Sequence, residues 1–114
     1  MTASIHERKA FLATEYALFE EARRRGDRLA AWHHLERAHI VAQPLLVSHL
    51  RSHGYMLRFA IEVRDAREVA GQIMRVGLAP IGSLAGKLPV GNTGRSRTSA
   101  FAPMPVTPDL AKFV

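Results

Sequence analysis

Glu36, His39, His49 and His53 are the residues of this chain best placed by type and spacing to do chemistry. On a helix advancing about 100° per residue, Glu36 and His39 share a face with Leu29, Trp32, Ile40 and Gln43, while His34 and Arg37 fall away from it. The same count on the following segment gathers Leu46, His49, His53, Met56, Leu57 and Ala60. Polar groups that can ligate a cation therefore sit inside two apolar stripes. Glu-x-x-His is the spacing used in carboxylate-bridged dimetal bundles, and His-x-x-x-His sets two imidazoles on one helical face.

A turn at Pro44 fixes the register of the two stripes. His39 lies five residues before Pro44 and His49 five after it, whereas Glu36 lies eight before and His53 nine after. In an antiparallel hairpin these positions form two facing rungs, about 5 Å apart along the axis at a rise of about 1.5 Å per residue. A metal ion can bridge that gap. Glu15 falls on the apolar stripe of the preceding helix and is a further candidate, as a ligand or as the acceptor that orients a ligating imidazole. Asp65, Glu68 and Gln72 are weaker candidates on a later helix, and His33 lies at the edge of the inward face.

Glu36, His39, His49, His53 and Glu15 suit a divalent transition metal, Zn, Fe or Mn among them, and an open coordination position would permit hydrolytic or oxidative chemistry. A second reading stays open beside it. The same groups can satisfy one another as a metal-free hydrogen-bond network, leaving the protein a non-enzymatic interaction module.

The elements that must position these groups read as all-α. Phe11, Leu12, Leu18, Phe19 and Ala22 form a helical stripe over residues 5–25 that stops at Gly26, and Asp27 is placed to cap a second helix running to about Gln43. Pro44 suits the first turn of a third helix reaching Ile61 or Val63. A fourth starts near Asp65, carries Val69, Ile73 and Val76, and ends around Gly77, with a short helical turn after Pro80. The expected architecture is a four-helix bundle or helical-hairpin array over residues 1–86. Residues 87–114 form an extended Gly/Pro-rich tail of the same domain, packed on the helices through Leu88, Val90, Phe101, Met104, Leu110 and Phe113.

Composition narrows the function classes. The 114 residues, 47% hydrophobic, fit one core. The absence of cysteine removes disulfides, thiolate metal sites and thiol nucleophiles together. The early charges at His6, Glu7, Arg8 and Lys9 read against a secretory signal, so cytoplasmic residence is the expectation. Only eleven uncharged residues separate Arg75 from Lys87, too few to span a bilayer. The net charge of +6 permits nucleic-acid binding, but the arginines are scattered and not interleaved with stacking aromatics, which disfavours it. A second copy or a protein partner is the expected company under the interaction reading. Gly91-Asn92-Thr93-Gly94 reads as a tight turn needing positive φ, ahead of an anion-binding alternative with Arg95 and Arg97.

Two resemblances accompany these patterns. Residues 17–44, including Ala-Trp-His-His-Leu-Glu-Arg-Ala-His, resemble a single tetratricopeptide helix pair, which implies a helical hairpin and, through it, partner binding. Over nearly its full length the chain resembles a family of small uncharacterised bacterial proteins, a domain of unknown function. That resemblance rests on His34-Leu35-Glu36-Arg37-Ala38-His39, Gln43, His49 and His53 with Met56-Leu57, Gly91-Asn92-Thr93-Gly94, Phe101-Ala102-Pro103-Met104-Pro105 and Pro108-Asp109-Leu110. It implies no particular activity.

Overall fold

Helix boundaries follow local signals. In a computed structural model describing residues 3–85, 89–98 and 102–114, α1 spans Ile5–Arg25, α2 Arg28–Ala42, α3 Leu46–Glu62 and α4 Ala66–Ala85, and a 3-10 helix, η1, spans Pro108–Phe113. The Ser4 hydroxyl accepts from the Glu7 N–H at 3.0 Å to start α1. Gly26, at φ 76°, ends it by donating to the carbonyls of Ala22 and Arg23. The Asp27 carboxylate accepts from the Ala30 N–H at 3.1 Å and opens α2. Asp65 does the same for α4 through the Glu68 N–H.

Two boundaries differ from the sequence expectation. Pro44 lies in the turn before α3, whose flanking residue is the extended Leu45, so the proline sets the bend and not the first helical turn. α4 does not stop at Gly77 but continues through Pro80 to Ala85. A proline interrupts one backbone bond to the preceding turn, and here the helix carries that gap.

The helices pack as two pairs, α1 with α2 and α3 with α4, joined along α2 and α3. One half of the core gathers Phe19, Ala22, Ala31, Trp32, Leu35, Met56, Phe59 and Ala60. The aromatic contacts are specific: Phe59 meets both Phe19 and Trp32 edge-on, at centroid distances of 5.3 and 5.0 Å, and Tyr16 stacks on Tyr55 at 4.0 Å. The other half gathers Leu12, Ala38, Ile40, Val41, Ala42, Leu110 and Phe113. The end of the chain is thus part of the core, as its apolar content requires, although residues 108–113 are helical and not extended. Arg8 fixes this end by donating to the carbonyls of Val41 and Phe113 at 2.6 and 2.7 Å. Val90 is 52% exposed, and Leu88 and Phe101 lie outside the described residues. No helix among the described residues is long and apolar enough to cross a membrane.

The inward face of α4 corrects the apolar stripe drawn for it. Ile73 is 59% exposed, and the buried positions among the described side chains of α4 are Glu68, Gln72, Arg75 and Ala79. A helix that turns three polar side chains into the interior must find partners for all of them. Those partners lie around the histidines.

Candidate metal centre

α2 contributes His39, and α3 contributes His49 and His53, one turn apart. All three are buried, at 2%, 4% and 3% exposure. One nitrogen from each lies within 4.8 Å of the others. The Nε2 of His49 stands at the middle, 3.1 Å from Nε2 of His39 and 3.1 Å from Nε2 of His53.

The outer nitrogens set the tautomers. His39 Nδ1 is 2.7 Å from the backbone carbonyl oxygen of Asn92, and a carbonyl only accepts, so Nδ1 carries the hydrogen and Nε2 carries a lone pair. His53 Nδ1 is 2.7 Å from Gln72 Oε1. The orientation of that amide is itself fixed, because Gln72 Nε2 donates to Glu68 Oε2 at 2.7 Å and to the Gly94 carbonyl at 2.9 Å. Reversing the amide would face oxygen with oxygen on both contacts. His53 Nε2 is therefore also a bare lone pair aimed at His49.

His49 cannot satisfy both neighbours. With hydrogen on Nε2 it makes one good bond, leaving the other Nε2 and its own Nδ1 without a partner. With hydrogen on Nδ1, three lone pairs converge and the Nδ1–H is unpartnered. Nδ1 of His49 is indeed a buried atom without a hydrogen-bond partner. A proton does not relieve the conflict at neutral pH, because burial and, next, the charge of His53 push the His49 imidazole down to about 4. Burial likewise holds His39 well below the ordinary range, with His53 and His49 adding to it. His53 is lowered chiefly by burial, against an opposing hydrogen bond to Gln72. Three neutral imidazoles with nitrogens within 4.8 Å of one another are a donor set that could hold a cation.

Two of the three edges match zinc. Four-coordinate zinc with Zn–N bonds of about 2.0–2.1 Å sets its nitrogens about 3.3 Å apart, close to the two spacings of 3.1 Å from His49, while the three nitrogens together span up to 4.8 Å, so an ion would draw His39 and His53 closer to one another.

Glu36 and Glu15 are placed elsewhere. Glu36 Oε2 accepts from Arg95 Nη1 at 3.1 Å, and that guanidinium lies over the Trp32 ring at 3.7 Å. The facing rung of His39 and His49 forms, whereas that of Glu36 and His53 does not, since Arg95 draws the carboxylate aside and Gln72 takes the imidazole. Glu15 is 4% exposed, as its place on the α1 stripe requires, but it accepts from Arg37 Nε at 2.9 Å and pairs with His34 Nδ1 at 2.7 Å. His34 and Arg37 thus turn toward α1, because α2 has neighbours on more than one side. Neither acid belongs to the three-nitrogen group.

Sequence reasoning ranked Glu68 and Gln72 low, and read the turn at residues 91–94 without linking it to the histidines. Glu68 is 1% exposed and accepts from Gln72, from Arg95 Nε at 2.8 Å, and from the Ser96 N–H and hydroxyl at 3.0 and 3.1 Å. Burial alone would raise its carboxyl, but these bonds lower it further than burial raises it. Gly91 and Gly94 have φ of 79° and 82°, the positive values expected of the turn. The closeness of Gly94 to His39 was not legible: a Cβ there would come 2.7–2.9 Å from the imidazole ring. Arg95 serves Glu68 and Glu36 and is not a free anion-binding group. The available signal was the polar face of α4, with Glu68, Gln72 and Arg75 spaced four and three apart.

Fold and site together define a small four-helix protein with a buried three-imidazole centre able to hold a metal ion. The chain belongs to the family described as protein of unknown function (DUF3703), whose model matches residues 6–114. No curated protein and no solved structure matches it.

Proposed function

We propose that this is a metal-binding protein that holds one zinc ion between Nε2 of His39, His49 and His53. The observation that carries the reading is the convergence of lone pairs that no hydrogen-bond arrangement can satisfy. Each buried polar group left unmade costs about 1–3 kcal/mol, and one cation gives all three converging lone pairs an acceptor, leaving only the Nδ1–H of His49 without a partner. Imidazole suits zinc and copper, while manganese prefers carboxylate and water. With Glu36 and Glu15 held by arginines, the all-nitrogen donor set favours zinc over the manganese and iron that mixed Glu/His ligation would suit. Zinc is redox-inert, so of the two reaction types first considered the reading keeps hydrolytic and sets aside oxidative.

Gln72 and the Asn92 carbonyl act as the outer partners that hold a ligating imidazole in one tautomer and one orientation. Titration of the chelator-treated protein with Zn²⁺ against a chromophoric competitor tests the reading. One equivalent bound by the native chain and none by His49→Ala is the expected result; equal binding by both, or none by either, would overturn it.

A further inference from the structure

The fold leaves a second apolar face of α3 and α4 uncovered. α1 meets α3 on the side of Tyr55 and Phe59, and α4 meets it at His53 through Gln72. Val47, Leu50, Gly54, Leu57 and Ile61, spaced three and four apart, hold the side left over, where Val47 and Ile61 are 73% and 58% exposed. On α4, the tail comes in at Gly71, where a Cβ would strike Ser96, and Val69 packs on the aromatic half of the core. Ala66, Ala70, Ile73, Gly77 and Ile81 are left outward, with Ile73 and Ile81 59% and 62% exposed. Neither stripe carries a charge. A turn at residues 63–65 makes the two helices antiparallel neighbours, so the stripes lie side by side on one face.

Gly54 and Gly77 stand in the middle of these stripes, and a Cβ at either would meet nothing within 4 Å. Glycine weakens a helix interior, and no contact within a single chain requires it at either position. Close approach of another helix does. Each stripe runs about 21–23 Å at about 1.5 Å per residue and two helices side by side span about 20 Å, so the face covers about 450 Å² in projection and more once its side chains interdigitate. A standard interface takes about 10% of a small protein's surface, which is about 670 Å² of the 6730 Å² here. The face is of that scale, and Met74, 55% exposed, extends it.

Charge and shape select a second copy as the occupant. Chains of net charge +6 repel one another, and this face lets two of them meet through surface that carries no charge. A two-fold axis parallel to the helices lays α3 of one copy antiparallel on α4 of the other, so that the stripe with four large side chains and one glycine meets the stripe with two alanines and a glycine. We propose that the outer face of α3 and α4 is the interface of a two-fold homodimer, whose four facing helices bury a second apolar core. The proposal is independent of the metal site.

Sedimentation equilibrium of the full chain at micromolar concentration tests it. The expected mass is twice the 12.6 kDa of one chain. Ile73→Glu changes a position exposed in a single chain and buries an unpaired charge in the dimer, so it should weaken association at least about tenfold. Gly54→Ala should weaken it about fivefold or more by crowding the approach, although alanine favours the helix. A native chain of single mass overturns the proposal, and one that also pellets with phosphatidylglycerol vesicles assigns the face to an anionic lipid surface instead. A dimer whose affinity either variant leaves unchanged has its interface elsewhere, which overturns the proposal as well. Should Ile73→Glu not fold, the native mass and Gly54→Ala decide.

Discussion

Two hydrogen bonds made by nitrogens that face away from the centre decide its chemistry. His53 is held as a donor at Nδ1 by Gln72, and His39 by the Asn92 carbonyl, so each must present a lone pair inward. Replacing Gln72 by Leu keeps the shape but removes the acceptor, freeing the imidazole to change tautomer. Zinc affinity is expected to fall 10–100-fold, measured by competition titration. Gly94→Ala acts from the other side, since a methyl group would strike the His39 ring and a non-glycine residue would be strained at φ 82°. It should cost about 1–3 kcal/mol in urea unfolding and weaken zinc as well. At this scale the sequence showed which histidines meet, because their spacing about Pro44 is symmetric. It could not show that Glu36 turns away, since Arg95 is 59 residues distant and reaches it through a tail with no helical periodicity to place it.

Among the elements, α4 and the chain's end hold the surprises. Apolar periodicity found α1, α2 and α3 with nearly correct limits: Gly26 ends α1 and Asp27 caps α2, whose buried face is largely apolar, whereas α3 has no side-chain cap and is marked by the Met56, Phe59 and Ala60 stripe after Pro44. It misread α4. There the inward positions are Glu68, Gln72 and Arg75, chosen by partners on the tail and not by hydrophobicity. Leu29 is likewise 84% exposed although it shares the helical face of Trp32; at the second position of α2 it projects past the packed part of the bundle. The tail's apolar residues were a sound guide at Leu110 and Phe113, which are 2% and 3% exposed. Phe113 touches Phe11 at a centroid distance of 4.7 Å. Phe113→Ala should therefore cost about 3–5 kcal/mol in denaturant unfolding, a loss far larger than a loose tail would show.

Across the whole molecule, the triad links stability to pH. All three imidazoles take up protons less readily in the folded chain than at their usual value of 6.5. Below about pH 6.5 the unfolded chain therefore binds more protons than the folded one, and the metal-free protein loses stability as pH falls. Each imidazole contributes a slope approaching about 1.4 kcal/mol per pH unit, continuing for His49 down to about pH 4. Above pH 6.5 this contribution is fully present. Urea midpoints of chelator-treated protein at several pH values would check it, and midpoints unchanged between pH 7.5 and 5 would contradict it.

The fold spends much of its interior on this centre. Residues of α2, α3, α4 and the turn at 91–94 each contribute a ligand candidate or the partner of one, so an ion there would tie together segments that the apolar core joins only in part. The most direct measurement is an anomalous-scattering map from crystals of the zinc-loaded protein, collected on both sides of the zinc edge. The predicted result is one peak about 2.0–2.1 Å from Nε2 of His39, His49 and His53. A map with no peak among the three imidazoles, from protein given stoichiometric zinc, would contradict the assignment.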